Sequence, residues 1–228
     1  RQMQKQYGEN KLRLMKTKRN KHKKAGALNQ GFEATRSSQP DFIFGMDADT
    51  IVEERMVEEA LKQFNREPNT AGICSAYRTL PLKSDATRWE RYLWRLQNIE
   101  FGLANAWRVE NHRSARVLPG VSVMFRGKAL RDIYKFNAGI VWATDSLVED
   151  YRLTLELKDM GWDTKSSLRM ISWSDVPLKL SGKGGLFDQR QRWYSGTVDE
   201  LRRRGIKENS RYELFTIGLL GLNFMMRL

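Results

Sequence analysis

The stretch "FIFGMDADTIV", residues 42–52, places two aspartates, Asp47 and Asp49, directly after a short apolar run. An apolar run of this length, interrupted by Gly45 and ended by acids, predicts a buried strand of an α/β sheet. Ligands of such sheets bind just outside the carboxyl ends of the strands, so chemistry is expected at these two aspartates. The stretch would also be explained if one aspartate capped a helix beginning near Glu54, and the local sequence leaves both interpretations open.

The segments around this stretch alternate between strand-like and helix-like patterns, which predicts an α/β domain. Further strands are expected at 71–80 and within 118–130, where Gly127 opens a helix after the apolar run. Apolar residues at helical spacing predict helices over residues 56–64, 87–109, 145–162 and 187–205. We assign residues 1–211 to this domain.

The segment 87–109 is rich in large apolar side chains, and for most of them the core is the expected location. These side chains are Trp89, Leu93, Leu96, Leu103 and Trp107. The same helix carries Arg88, Arg91 and Arg95, so one of its faces could instead lie at a membrane surface or along a sugar channel.

The net charge of +13 is concentrated near the start of the chain. Residues 1–24 hold ten lysines or arginines against a single acid, Glu9. Such a block favours a polyanionic partner, which could be a nucleoside diphosphate, an anionic bilayer surface or nucleic acid. A solvated and partly disordered arm explains most of these lysines equally well.

Cysteine and histidine are scarce, which argues against several kinds of site. Cys74 is the one cysteine, so the chain can form neither an internal disulfide nor a cysteine-based zinc site, and we expect it in a core strand. The two histidines, His22 and His112, both have polar or charged neighbours, which argues against a histidine metal cluster or a Ser-His-Asp triad. Any metal is therefore expected to be held by oxygen atoms, which favours Mg²⁺ or Mn²⁺.

The last residues, "YELFTIGLLGLNFMMRL" at 212–228, are strongly apolar. They are somewhat fewer than the roughly 20 residues that span a bilayer. The segment therefore predicts an interfacial helix or the opening of a transmembrane helix, with a C-terminal core helix as the alternative.

Four short motifs follow one another along the chain: "KAGALN" at 24–29, "DAD" at 47–49, "VED" at 148–150 and "QRQRW" at 189–193. This series resembles the processive family 2 glycosyltransferases, the membrane synthases of β-linked polysaccharides such as cellulose, chitin, hyaluronan and poly-N-acetylglucosamine. The family's motifs are Lys-Ala-Gly-(Ala)-Leu-Asn, Asp-x-Asp, (Thr)-Glu-Asp and Gln-x-x-Arg-Trp. A lone Asp-x-Asp often occurs by chance, but the ordered combination is specific, and the resemblance covers Lys21 to Gly205.

The resemblance implies a GT-A-like (Rossmann-like) mixed sheet flanked by helices, and an inverting, metal-dependent enzyme. A sugar would pass from a nucleoside diphosphate sugar, UDP-glucose or UDP-N-acetylglucosamine, to the end of a growing β-linked polysaccharide. The cofactor would be Mg²⁺ or Mn²⁺, and the location the cytoplasmic face of the cell or inner membrane, in contact with lipid.

The four motifs support two other functions less well than processive synthesis. A non-processive enzyme would transfer one sugar to a lipid or protein acceptor, but Gln-x-x-Arg-Trp is typical of synthases that hold a polymer. A basic module that binds nucleic acid through phosphates gives no reason for the ordered acidic motifs, so no nucleic acid partner is expected.

The resemblance also assigns catalytic roles to individual acids. Asp150 matches the catalytic base, which takes the proton of the acceptor hydroxyl as it attacks the anomeric carbon. Glu149 either orients Asp150 or only faces the helix dipole. Asp49 is the expected metal ligand, and Asp47 is expected to lie toward the donor ribose or sugar.

The remaining assignments concern binding. The nucleotide is expected to lie along Lys24, Gly26 and Asn29. Gln189 and Arg192 supply donors that suit phosphate oxygens. Trp193 offers an aromatic face on which a sugar ring can stack, unless it is a core tryptophan.

The chain departs from the family pattern in two places. The family begins with a strand, an acidic Asp-Asp-Gly type motif and a helix that hold the nucleotide base, and nothing similar precedes the basic block. We therefore expect a fragment, a partner chain that supplies the first strands, or an incomplete donor site in an inactive remnant. Val148 replaces the family's threonine, which removes a hydroxyl but leaves both carboxylates.

Overall fold

The computed structural model describes residues 14–110 and 114–205, with the backbone alone at 108–110. In chain order the elements are α1 Lys23–Arg36, β1 Phe42–Met46, β2 Ile51–Val52, α2 Met56–Arg66, β3 Thr70–Thr79, α3 Arg88–Glu110, β4 Ser122–Arg126, α4 Gly127–Phe136, α5 Glu149–Asp159, β5 Asp163–Ser174 and α6 Leu186–Arg204. Residues 212–228 and the first half of the basic block lie outside the described residues, so what was expected of them stays a prediction. Within the described ranges, no helix combines the length and the apolar character needed to cross a bilayer.

The described strands form a single mixed sheet in the order β1-β4-β3-β5-β2. β3 and β5 run parallel, whereas the other neighbouring pairs are antiparallel. Helices pack against both faces of this sheet. The α/β fold with a mixed sheet is therefore confirmed.

The side chains of β4 alternate between the two faces of the sheet and enter two separate clusters. Val123 and Phe125 pack beneath α1, α4 and α5, in a cluster that includes Leu153. Met124 points to the opposite face and packs near Phe64 of α2. Each strand residue thus contributes to one core or the other, which fixes the register of the sheet.

The pairing of β1 with β4 creates the edge on which the candidate site is built. Met46, the last residue of β1, pairs with Ser122, the first residue of β4. The Asp47 backbone N–H then donates to the Val121 carbonyl at 3.2 Å. The residues that follow β1 and those that precede β4 are therefore held side by side.

Most of the expected elements are confirmed within a few residues, namely β1, α2, β3, α3, β4, α4 and α6. The helix expected over 145–162 is shorter than predicted, since it begins at Glu149 and ends at Asp159. Leu147 and Met160, counted as part of its apolar pattern, are exposed. Glu149 and Asp150 lie in its first turn.

Three elements were not predicted from the sequence: α1, β2 and β5. The sequence of β5 is rich in serine and lacks an apolar alternation, although Ser166, Ser167 and Ser172 are buried. β5 is held by its pairing with β3, where the hydroxyls of Ser75 and Ser172 share a hydrogen bond of 2.6 Å. Long-range pairing, not local pattern, makes this strand.

Helix α3 differs from expectation in which of its apolar residues are buried. Leu93 is fully buried, so its expected core position is confirmed. A core position is wrong for Trp89 and Leu103, which are 48% and 51% exposed. Cys74 of β3 is fully buried, as expected. The spacing located a stripe of apolar residues on α3 but not the side of the helix that faces the protein.

Candidate active site

Lys24, near the start of α1, lies over the sheet edge at the end of β1. Its ammonium forms an ion pair with Oδ1 of Asp47, and both side chains keep partial exposure to solvent. Gly120, in the loop before β4, lies beneath this pair. A Cβ on Gly120 would come within 2.4 Å of Lys24 Nζ and would lie 3.9 Å from Asp47 Oδ1. A residue without a side chain is therefore required at position 120 for this arrangement.

Asp150 faces the same loop from the first turn of α5. Its Oδ2 accepts a hydrogen bond from the Gly120 N–H at 3.3 Å, and its Oδ1 accepts one from the Tyr151 N–H at 2.8 Å. The Thr154 hydroxyl donates to the Asp150 carbonyl at 2.6 Å and accepts from the Leu118 N–H at 2.9 Å. These bonds attach the first turn of α5 to the loop that carries Gly120.

The surroundings of Asp150 raise the pKa of its carboxyl above the ordinary aspartate value. Burial is the main cause, and the neighbouring charge of Glu149 adds to it. The N–H groups of Tyr151 and Gly120, and the charge of Lys24, oppose the rise in pKa but do not cancel it. A carboxylate with a raised pKa is a stronger proton acceptor than an ordinary aspartate, which suits a general base.

A small cavity of about 30 Å³ lies beside Asp150. Its polar lining includes Lys24, Glu149 and Asp150, and its apolar lining includes Leu118 and Trp142. This volume suits about one or two water molecules. The cavity is therefore too small to enclose a ligand larger than a few atoms.

Gly26 and Asn29, expected along the nucleotide, lie on α1 and have structural partners outside this helix. The Asn29 amide donates to the Trp142 carbonyl at 2.7 Å and accepts from the N–H groups of Val141 and Trp142, each at 3.0 Å. Gly26 is buried, and a Cβ there would come within 2.2 Å of the Asn20 side chain. Both residues hold α1 in the position that directs Lys24 to the sheet edge.

Asp49 lies in the turn after β1 and is exposed. In the described part of the chain, no three side chains of the His, Cys, Asp or Glu type come together as a metal cluster. Mg²⁺ and Mn²⁺ in nucleotide sites are often held by one or two carboxylates together with phosphate oxygens of the substrate. The exposed carboxylate of Asp49 would fit a cation of that kind and would supply it with oxygen ligands.

Helix α6 carries Gln189, Arg192 and Trp193 and packs against the start of α5. A Cβ on Gly196 would lie 2.9 Å from Val148 Cγ1, so the two helices approach closely at this point. The motif residues lie one to two turns before Gly196, toward the start of α6. Helix α6 thus lies close to Val148, the residue before Glu149. On this helix Arg192 is exposed and Trp193 is half-buried.

Arg190, which the sequence analysis did not single out, is the buried arginine of this motif. It is 2% exposed, and its Nη1 donates to Gln189 Oε1 at 2.6 Å. Its guanidinium lies 4.3 Å from the centre of the Trp193 ring and forms an ion pair with Glu100 of α3. Arg190 therefore orients both Gln189 and Trp193, and no local pattern distinguished it from Arg192.

A second buried ion pair fixes the other end of the contact between α5 and α6. Arg152 Nε donates to Glu200 Oε2 at 2.8 Å, and the Ser146 hydroxyl donates to Glu200 Oε1 at 2.7 Å. Burial alone would raise the pKa of Glu200, but the hydrogen bonds from Arg152 and Ser146 outweigh it and lower that pKa. Glu200 is therefore an ionised anchor for the loop that leads into Asp150.

Comparisons with known proteins identify the family to which the chain belongs. The family model described as "Glycosyltransferase like family 2" matches residues 1–196. Poly-beta-1,6-N-acetyl-D-glucosamine synthases of Staphylococcus epidermidis and of Staphylococcus aureus strain COL are 26% and 28% identical to the chain over 183 residues. These alignments cover 79% of this chain and 40% of each relative, so the chain spans well under half the length of the curated relatives.

A solved structure is similar in fold. A mannosyltransferase from Pyrobaculum calidifontis, in complex with GDP-Man and Mn²⁺, matches with a TM-score of 0.55 and 18% identity. The match covers 83% of this chain and 46% of that one. At this identity the likeness shows the fold, which is of the GT-A type.

Proposed function

The chain belongs to glycosyltransferase family 2, and we propose that it transfers N-acetylglucosamine from UDP-N-acetylglucosamine to the end of a growing β-linked polysaccharide, with inversion. The observation that carries this proposal is the position of Asp150, whose carboxylate has a raised pKa and lies beside Gly120, beneath the Lys24–Asp47 pair. The choice of N-acetylglucosamine over glucose is supported by the staphylococcal relatives.

In the proposed reaction, the acceptor hydroxyl oxygen attacks the anomeric carbon as the bond from that carbon to the diphosphate breaks. Asp150 takes the hydroxyl proton, and the nucleoside diphosphate leaves with the bonding electrons. A single displacement of this kind inverts the anomeric centre, so an α-linked donor gives a β-linked product. The raised pKa of Asp150 makes this proton transfer easier than it would be for an exposed aspartate.

The leaving diphosphate needs positive charge near the end of β1. Lys24 is placed to supply part of it, and Asp47, held by Lys24, faces the donor ribose or sugar. Asp49 would hold Mg²⁺ or Mn²⁺ together with diphosphate oxygens, and that cation supplies charge neutralisation when bound. Gln189 and Arg192 would bind the diphosphate, and Trp193 would stack on the acceptor sugar.

The test is incorporation of label from UDP-N-acetylglucosamine, UDP-glucose and GDP-mannose by the native protein in membranes, with Mg²⁺ or Mn²⁺. We expect polymer from UDP-N-acetylglucosamine, and a loss of about a hundredfold or more in Asp150→Asn, because general base catalysis contributes at least that much. Asp132→Asn, at a half-buried acid that pairs with Lys128 on α4, is the matched control and should keep full activity.

The stability of Asp150→Asn separates lost chemistry from lost folding. A raised pKa means that the Asp150 carboxyl favours folding at low pH and that this contribution is lost as the pH rises through the raised pKa. At neutral pH the variant should therefore unfold at no lower temperature than the wild type.

Incorporation from none of the donors, or equal incorporation by Asp150→Asn, would contradict the proposal. If the product carries only one added sugar, the enzyme is non-processive, and the proposal of processive synthesis is wrong.

A further inference from the structure

Helix α3 presents a stripe of large apolar side chains to solvent. Trp89, Tyr92, Ile99 and Leu103 are 48%, 38%, 49% and 51% exposed, and Leu96 lies half-buried among them. Residues three, four or seven apart share one face of a helix, so these side chains form one row. The row extends for about 21 Å along the helix axis. We call these five residues the α3 stripe.

The orientation of α3 is fixed by the contacts of its other side. Leu93 and Gln97 are buried beneath the helix, and Gln97 Nε2 donates to the Pro177 carbonyl at 2.9 Å. The Trp94 indole donates to the Leu80 carbonyl at 2.8 Å. Rotation of the helix to bury the α3 stripe would break these bonds. The stripe is therefore a true surface of the described domain.

The charges beside the α3 stripe are positive. Arg88 and Arg95 are exposed next to it on the helix surface, and neither forms an ion pair with an acid in the described part of the chain. Trp89 and Tyr92 stack on each other with their ring centres 5.3 Å apart. Tryptophan, tyrosine and basic residues around an apolar row are the composition found where proteins meet the headgroup region of a bilayer.

We propose that the α3 stripe docks this domain on an anionic lipid bilayer. The apolar side chains would enter the boundary of the acyl chains while Arg88 and Arg95 pair with anionic headgroups. The exposed Arg88 and Arg95 beside the α3 stripe favour this occupant over a neutral partner. The proposal does not depend on the transfer reaction.

The docking surface has a consequence for the candidate site. Glu100 of α3 pairs with Arg190 of α6, so the α3 stripe lies beside the helix that carries Gln189 and Trp193. Docking would hold this side of the site next to the bilayer surface. A polymer leaving the site would then start its path at the membrane.

A fluorescent label locates the contact. Because Cys74 is fully buried, Leu103→Cys can be labelled selectively with an environment-sensitive dye, and Phe136→Cys on the exposed surface of α4 is the matched control. We expect a blue shift at position 103 with vesicles that mix phosphatidylglycerol and phosphatidylcholine, a smaller shift with phosphatidylcholine alone, and none at position 136.

Three outcomes of the labelling would overturn the proposal. The first is sedimentation of the protein with vesicles without a shift at position 103. The second is an equal shift at positions 103 and 136. The third is an apolar dye environment at position 103 before vesicles are added. That outcome would mean that another segment of the chain covers the α3 stripe. If the signal also depends on protein concentration, a second copy of the chain covers it.

Vesicle partitioning gives an independent measure. Trp89→Ser combined with Leu103→Ser should lower partitioning by about tenfold or more, from the apolar area withdrawn from the bilayer. Arg88→Gln and Arg95→Gln should each lower it about fivefold, and only with phosphatidylglycerol present. Val57→Ser combined with Phe136→Ser, at exposed apolar positions elsewhere, should have no effect. Wild-type partitioning by the stripe variants would assign the binding to another segment and overturn the proposal.

Discussion

The two halves of the candidate site are held in different ways. Around Asp150, the functional groups are joined by direct bonds to one sheet edge: Lys24 pairs with Asp47, and the Gly120 N–H binds the Asp150 carboxylate. Helix α6, which carries the Gln-x-x-Arg-Trp residues, is attached by close packing at Gly196 and by buried ion pairs. The first half should therefore respond to small changes in geometry, and the second to changes in stability.

The largest expected effect on stability is at Glu200, the anchor between α5 and α6. Arg152 pairs with the buried Glu200 and with the exposed Asp145. Glu200→Gln removes the buried partner, so we expect a loss of about 3 kcal/mol in the free energy of unfolding, the low end for a broken buried ion pair. Asp199→Asn, an exposed neighbour on the same helix, is the control and should change little. Chemical denaturation measures both variants.

The pH dependence identifies the cause of the loss at Glu200. Because the pKa of Glu200 is lowered in the folded protein, its contribution is present above the ordinary glutamate pKa and disappears as the pH falls through the lowered value. The difference between wild type and Glu200→Gln should narrow over that range. A difference that stays constant at low pH would mean that packing, not charge, holds the two helices together.

The second effect concerns rate and not stability. In Gly120→Ala the new methyl group would displace the flexible end of Lys24. The free energy of unfolding should therefore change by less than about 0.5 kcal/mol. Displacement of Lys24 and of the hydrogen bond to Asp150 should lower kcat/KM by about tenfold to a hundredfold. Gly31→Ala on α1, where the methyl group has room, is the control. Unchanged kinetics in Gly120→Ala would mean that Lys24 and Asp47 do not act together.

The smallest effect compares two glycines within helices. Gly196→Ala would press a methyl group against Val148 and should cost about 1 kcal/mol after the gain in helix propensity is included. Gly102→Ala, on α3 with open space around it, should stabilise the protein by up to about 1 kcal/mol. Thermal unfolding of the two variants measures the difference, and equal shifts would contradict close packing between α5 and α6.

Local sequence patterns were enough to predict the strands and the helix that surround Asp150. The apolar runs of β1, β3 and β4 are ordinary strand signals, and the acids that follow β1 lie at the sheet edge because a strand ends there. Asp150 lies in the first turn of a helix, as its sequence indicated. Gly120 lies in the loop before β4, and its contact with Lys24 depends on pairing between distant strands.

The remaining features depend on contacts that no local pattern encodes. Strand β5 is polar, and its hydrogen bonds come from β3, so its serine-rich sequence gave no signal. Arg190 and Arg192 lie two residues apart on α6, and contacts with distant residues, such as that of Arg190 with Glu100 on α3, decide which of them is buried.

Only Trp89, Leu96 and Leu103 of the α3 stripe were named from the sequence, and most of the apolar residues of this helix were expected in the core. The bonds of Gln97 and Trp94 decide that the stripe faces solvent.

The most direct test of the central claim is the pH dependence of kcat/KM in the wild type and in Lys24→Met. If Asp150 is the base, activity should fall at acid pH with a pKa above the ordinary aspartate range. Lys24 lowers the pKa of Asp150, so its removal should move this acid limb to higher pH, whereas Lys128→Met on α4 should not. An acid limb in the ordinary aspartate range, or one that stays in place in Lys24→Met, would contradict the assignment of Asp150 as the catalytic base.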